Sequence, residues 1–169
     1  MMAFAAVVRP KPRFVPQPET RKKHRIAFVC VGNAARSQMA EAWARHLARA
    51  KNLEVEAMSA GMTPLGSITP ETYEVMAEKK VSLEGQESKG REAIDWEQVD
   101  LLVNLTGLPW RSVVPAFRGR VEQWEIRDPY GEPIGTYRKV RDQLERKIKR
   151  LLADLKKSST GGPPPAPAA

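Results

Sequence analysis

Cys30 is the only cysteine in 169 residues, and Arg36 and Ser37 stand six and seven positions after it. A thiolate is a strong nucleophile, and a planar guanidinium offers two parallel donors to the oxygens of a phosphate. The residues between them are small or turn-tolerant: Val31, Gly32, Asn33, Ala34 and Ala35. Gly32 permits a turn with positive φ, and Asn33 is the next most tolerant residue for such a backbone. The stretch from Val31 to Ser37 therefore reads as a loop whose N–H groups converge on an oxyanion at the start of a helix. The same positive surroundings favour thiolate over thiol at Cys30. The Ser37 hydroxyl either hydrogen-bonds that sulfur or caps the helix. By itself a lone cysteine is equally well a small buried hydrophobe; what favours chemistry here is its place between an apolar run and a helix. Cleavage of a phosphate ester also needs an acid for the leaving group. The segment "EIRDPYGEP", 125–133, supplies Asp128 for that role, although Asp-Pro is also common turn chemistry.

These residues need elements to hold them. "RIAFVC" is a continuous apolar run, the pattern of a parallel strand buried on both faces. Residues 37–50 carry an apolar helical stripe through Met39, Ala40, Trp43, Leu47 and Ala50. "LEVEAMSA", 53–60, alternates like a strand. Thr69-Pro70-Glu71 is a helix start, with a hydroxyl cap, a proline in the first turn and an acid beside it; the helix is expected to run to about Lys80. "DLLVNL", 100–105, and "RVEQWEI", 120–126, read as the third and fourth strands. A final helix, 134–155, places Tyr137, Val140, Leu144, Ile148, Leu151 and Leu155 at spacings of three or four. Strand–helix alternation implies a parallel sheet flanked by helices, with ligands at the carboxyl ends of the strands. Cys30 ends the first strand and Asp128 follows the fourth. Tyr130, and Trp110 in the loop after the third strand, are rim candidates. Trp43 reads as core, His46 as a surface helix residue and His24 as part of the leading arm.

The net charge is +8, but its distribution matters more than its size. Residues 1–25 hold seven basic residues against Glu19, and residues 156–169 hold Lys156 and Lys157. Removing those nine from 28 basic residues, and Glu19 from 20 acidic ones, leaves 19 of each between 26 and 155. The expected folded part is neutral, so the basicity argues for no specific nucleic-acid partner. No apolar stretch approaches the roughly 20 residues of a membrane span, and Ala3–Val8 is too short and lacks the basic lead-in of a secretory signal. One cysteine forms no internal disulfide and no multi-cysteine zinc site, which suits a reducing cytoplasm. Residues 1–24 read as a basic, proline-rich arm, 25–156 as one catalytic domain and 157–169 as a low-complexity tail.

"VCVGNAARSQMAE", then "SAG" at 59–61, "DLLV" and "DPYG" in this order resemble the low-molecular-weight protein tyrosine phosphatases and the arsenate reductases that share their fold. The resemblance spans about residues 25–155. It implies an α/β three-layer sandwich with a four-stranded parallel sheet flanked by helices. It implies that Cys30 becomes a phosphocysteine, that Arg36 and the amides of residues 31–37 bind the phosphoryl oxygens, and that Asn33 braces the loop with support from Ser59. Ser37 would assist the thiolate as leaving group. Asp128 would protonate the leaving phenol and then activate water, with no metal and no cofactor. Ala35 stands where the phosphatases often carry a second cysteine, and Gln38 where they usually carry proline, as in the reductases. "VNLTGLPWR" lacks the distal cysteine pair of the thioredoxin-coupled reductases, so such an internal relay is chemically impossible here. The leading expectation is hydrolysis of phosphotyrosine-like esters, on a phosphorylated protein or a small aryl phosphate. The alternatives are arsenate reduction with an external thiol (glutathione or mycothiol with a glutaredoxin-type partner) and a weakly catalytic domain that binds phosphate or a partner.

Overall fold

The computed structural model describes residues 23–159; the arm reading for 1–22 and the tail reading for 160–169 lie outside these residues. Four strands form one sheet: β1 His24–Cys30, β2 Val55–Gly61, β3 Leu101–Asn104 and β4 Arg120–Gln123. Their order is β2-β1-β3-β4 and every pair is parallel. The helices are α1 Arg36–Ala50, α2 Pro70–Glu78, the one-turn α3 Trp110–Val113 and α4 Ile134–Ser159. The expected α/β fold is present, and Cys30 ends the central strand in register with Gly61 of β2.

Successive strand residues point to opposite faces, and the sheet divides its core accordingly. Ile26, Phe28, Cys30, Leu101 and Val103 face the three longer helices, where they meet Met39, Trp43, Met76, Tyr137 and Leu144. Ala27, Val29, Ala60 and Leu102 face the other layer, built by Ile94, Val99, Val113, Val114 and Phe117. That second layer is mostly turns and the single turn of α3, so the helices flank the sheet unequally. All six α4 residues of the expected stripe are buried, and each fully buried Leu or Ile contributes about 1.5–3 kcal/mol.

The ends of elements differ from expectation for local reasons. Thr69 caps α2 through its side chain, as its sequence predicts, but the helix stops at Glu78 because Lys80 takes a positive φ of 57°. The ladder of β4 ends at Gln123; after Trp124 N donates to Asn104 O at 2.9 Å, the chain leaves the sheet toward Asp128. Helix α4 runs three residues into the stretch read as tail, its last turn carrying Lys156 and Lys157 where the helix dipole favours cations. His24 is not an arm residue: it is the buried first residue of β1, and its Nε2 lies 3.1 Å from Ser159 Oγ at the end of α4. Among the described residues, no helix is long and apolar enough to cross a membrane.

Candidate active site

The loop from Val31 to Ala35 joins β1 to α1. Four of its carbonyls are taken up by hydrogen bonds. Val31 O accepts from Thr63 N, Gly32 O from Leu65 N and Ser88 Oγ, Asn33 O from Gln38 Nε2, and Ala34 O from Thr69 N and Thr72 Oγ1. A planar trans peptide sets N–H opposite C=O, so the N–H groups of Gly32, Asn33, Ala34 and Ala35 face inward, the arrangement expected of an oxyanion loop. The positive φ falls on Asn33, at 45°, and not on Gly32. Gly32 is constrained instead by space: a Cβ there would lie 3.2 Å from the Leu65 side chain.

The loop rims a pocket of about 210 Å³. Cys30, Val31, Gly32, Ala34, Ala35 and Arg36 form its floor, and Thr63, Leu65, Asp128 and Tyr130 its walls. Asn33 and Ser37 stand behind the floor, fully buried. The Cys30 sulfur is 2.9 Å from Ser37 Oγ. Of the two roles open to Ser37, the structure shows the bond to sulfur; α1 begins after Ala35 with no side-chain cap. Asn33 Nδ2 donates to Ser37 Oγ at 2.8 Å and to Ser59 Oγ, near the end of β2, at 3.0 Å.

Arg36 is 6% exposed although charged. Its Nη1 donates to Leu105 O at 2.9 Å and Ile126 O at 3.3 Å, beyond β3 and β4, and its Nη2 pairs with Asp128 Oδ2 at 2.9 Å. Its Nε is buried without a hydrogen-bond partner. Asp128 is held a second time, Oδ1 accepting from Tyr130 N at 3.1 Å. The ends of three strands thus bring Cys30, Arg36 and Asp128 together. Tyr130, 60% exposed, stands at the mouth.

Trp110 does not line this pocket. It packs against the second layer of the core with the Arg111 guanidinium 4.4 Å from its ring. A larger groove of about 820 Å³, bordered by Arg91, Trp96 and Val113, contains none of the catalytic candidates.

The sequence alone assigns no role to several residues that brace the site, although Glu41 and Gly61 stand within "VCVGNAARSQMAE" and "SAG". Glu41, in the midst of the α1 stripe, is 6% exposed and accepts from Ser59 Oγ at 2.6 Å. Burial pushes its carboxyl up from the ordinary range, while the Ser59 hydrogen bond and the charges of Lys89 and Arg45 act the other way. The Lys89 backbone N–H donates to Asn33 Oδ1 at 2.8 Å. Gly61 holds the loop from beneath: a Cβ there would sit 2.8 Å from Val31 O and 2.9 Å from Asn33 N. Gly61→Ala is therefore expected to destabilise the fold by about 1–3 kcal/mol, the range of overpacking, and to lower turnover by displacing the loop. Urea unfolding and steady-state hydrolysis of an aryl phosphate check this; parental values in both would show that the loop yields without cost.

A thiol, a guanidinium and inward amides around one small cup, at the carboxyl end of a parallel sheet, define the enzymes that use cysteine on tetrahedral oxyanions. The chain belongs to the low molecular weight phosphotyrosine protein phosphatase family, whose match covers residues 25–160. It is 33% identical to a protein-arginine-phosphatase of Bacillus subtilis (strain 168), over 78% of this chain and 97% of that one. It is 34% identical to an arsenate reductase of Bacillus cereus, over 76% of this chain and 94% of the relative. Among solved structures, the arginine phosphatase YwlE of Bacillus subtilis with a phosphorylated active-site serine superposes with a TM-score of 0.72 at 31% identity, over 79% of this chain and 96% of that one.

Proposed function

We propose that this enzyme hydrolyses phosphomonoesters of the phosphotyrosine type through a phosphocysteine intermediate. The observation that carries the reading is the convergence of Cys30, Arg36 and Asp128 on one pocket. The substrate phosphoryl group sits on the loop amides and Arg36. The Cys30 thiolate attacks phosphorus, the S–P bond forms and the P–O bond breaks, while protonated Asp128 gives its proton to the departing oxygen. Asp128, now a carboxylate, takes a proton from water. That water attacks phosphorus, phosphate forms, and the thiolate leaves with the Ser37 hydroxyl bonded to it. The walls favour an aryl group: Leu65 and Tyr130 flank the pocket with apolar surface.

Arsenate reduction is the second reading, supported by the arsenate reductase relative. It needs a thiol from outside, because no other cysteine is present. Cys30 would condense with arsenate with loss of water; an external thiol, glutathione-like or delivered by a glutaredoxin-type protein, would attack the Cys30 sulfur, releasing arsenite and leaving a mixed disulfide for a second thiol to reduce. The single thiol fits a reducing cytoplasm, where such partners and phosphoproteins both occur.

A paired assay tests the reading: release of phosphate from an aryl phosphate, with phosphoarginine as comparison, against arsenite formation with a regenerated thiol. Aryl phosphate hydrolysis above both others supports it. Arsenite formation with negligible hydrolysis overturns it in favour of the reductase.

A further inference from the structure

Beneath the phosphate loop lies a layer of buried amides to which the proposed reaction gives no role. We propose that Gln86 and Gln38, backed by Arg45, are positioning residues that form a one-way line of hydrogen-bond donors ending on the Cys30 sulfur. Arg45 Nη2 donates to Gln86 Oε1 at 2.5 Å. Gln86 Nε2 donates to Gln38 Oε1 at 2.7 Å, and Gln38 Nε2 to Asn33 Oδ1 at 3.0 Å. Asn33 Nδ2 donates to Ser37 Oγ at 2.8 Å, and Ser37 Oγ lies 2.9 Å from Cys30 Sγ.

The direction of the line is dictated by groups that have only one way to bond. A guanidinium only donates, so Gln86 must turn its carbonyl to Arg45 and its amine to Gln38. The Lys89 backbone N–H only donates, so Asn33 must turn its carbonyl to Lys89 and Gln38, and its amine to Ser37. The Ser37 oxygen therefore accepts from Asn33 and its proton is left for the sulfur. A donor that is itself accepting is polarised and donates more strongly. The line starts on Arg45, whose side chain is 36% exposed, and runs through Gln86, Gln38, Asn33 and Ser37, each at most 9% exposed, so beyond its start little water screens it. Its terminus is a sulfur that gains from a strong donor when ionised, while a second branch leaves Asn33 through Ser59 for the Glu41 carboxyl.

The charged groups around the line are Arg36 and Asp128 near the sulfur, Glu41, Arg45 and Lys89 at the base, and the exposed Glu84 and Glu87 on either side of Gln86. The inference rests on Cys30 as the nucleophile, but its test requires neither phosphate nor arsenate. Iodoacetamide alkylates the thiolate, forming an S–C bond and expelling iodide, so its rate reports how readily Cys30 ionises. Gln86→Glu keeps the side chain's size and accepts from Arg45, but as a carboxylate it has no proton to give Gln38. Gln86→Leu removes both bonds, and Arg45→Met removes the cation, including its 3.9 Å pairing with Glu41.

At pH 6, alkylation of Gln86→Glu and Gln86→Leu is expected to slow about fivefold, and of Arg45→Met about twofold, with all rates converging on the parent at pH 9.5. Rates equal to the parent's at pH 6 in Gln86→Glu and Arg45→Met would overturn the proposal, even if Gln86→Leu fails to fold. A loss of the same size at both pH values would also overturn it, since it reports a displaced loop and not a weakened donor. A phosphatase assay that fails while the alkylation profile shifts as expected would count against the proposed function and leave the donor line standing.

Discussion

Cys30→Ser is expected to abolish multiple-turnover hydrolysis of an aryl phosphate, with a loss of at least about 10⁴-fold in kcat. The argument is electronic and not steric. Oxygen in place of sulfur keeps the shape of a side chain that is 2% exposed and already bonded to Ser37, so thermal unfolding should move little. A serine hydroxyl, however, ionises far less readily than a thiol and attacks poorly. Where it does attack, the resulting phosphoserine resists the second half of the cycle, because an alkoxide is a worse leaving group than a thiolate. Intact-mass measurement after incubation with substrate separates the two failures: unmodified protein means the attack is lost, and one added phosphoryl group means the release is lost. Hydrolysis at the parental rate by the folded variant would remove Cys30 from the nucleophile's role.

Most residues that converge on the pocket lie in one contiguous stretch, which is why their convergence could be read from the sequence. Cys30 to Ser37 carries the thiol, the guanidinium and the turn, and an apolar run before it and a helical stripe after it fix the strand and the helix. Asp128 was readable because parallel topology sends the end of every strand to the same edge, and the Arg36–Asp128 pair at 2.9 Å is the contact that follows. The unread parts depend on tertiary approach. Gly61 stands in the "SAG" stretch, but its physical reason is visible only once Val31 and Asn33 are seen pressed against it. Glu41 interrupts an apolar stripe, which suggests solvent, yet Ser59 from β2 reaches in to donate to it. Gln86 comes from a loop with no periodicity, and only its contact with Gln38 gives it meaning. Trp110 was misjudged because the loop after β3 coils into α3, whose single turn carries the indole onto the second layer of the core, away from the pocket. Positive φ at Asn33 in place of Gly32 is a finer case of the same limit. Both residues tolerate the conformation, and the choice falls to Asn33 because its side chain must reach Ser37, Ser59 and the Lys89 amide at once.

Asp128→Ala is expected to lower kcat by about 100-fold or more on phenyl phosphate, and by much less on an aryl phosphate whose phenol is strongly acidic. An acidic phenol leaves as the phenolate and needs no proton, whereas phenol itself departs poorly unless protonated as the P–O bond breaks. The dependence on leaving group therefore distinguishes loss of a general acid from loss of the fold, which would lower both substrates alike. Asp128 also pairs with Arg36, so its removal has a second consequence of opposite sign. Arg36 Nη2 loses its partner while Nη1 stays on Leu105 O and Ile126 O, and Nη2 is freed for the phosphoryl oxygens. KM for phenyl phosphate is thus expected to hold or fall as kcat drops, a split that a general loosening of the site would not produce. Asp128→Asn sharpens the comparison, since its amide keeps the hydrogen bond from Tyr130 N within reach but has no proton of suitable acidity to give. If Asp128→Ala and Asp128→Asn both match the parent on phenyl phosphate, the acid lies elsewhere and the Arg36–Asp128 pair is structural. If both lose rate only on the poor leaving group, the carboxyl held over Arg36 at the end of β4 is the group that delivers the proton.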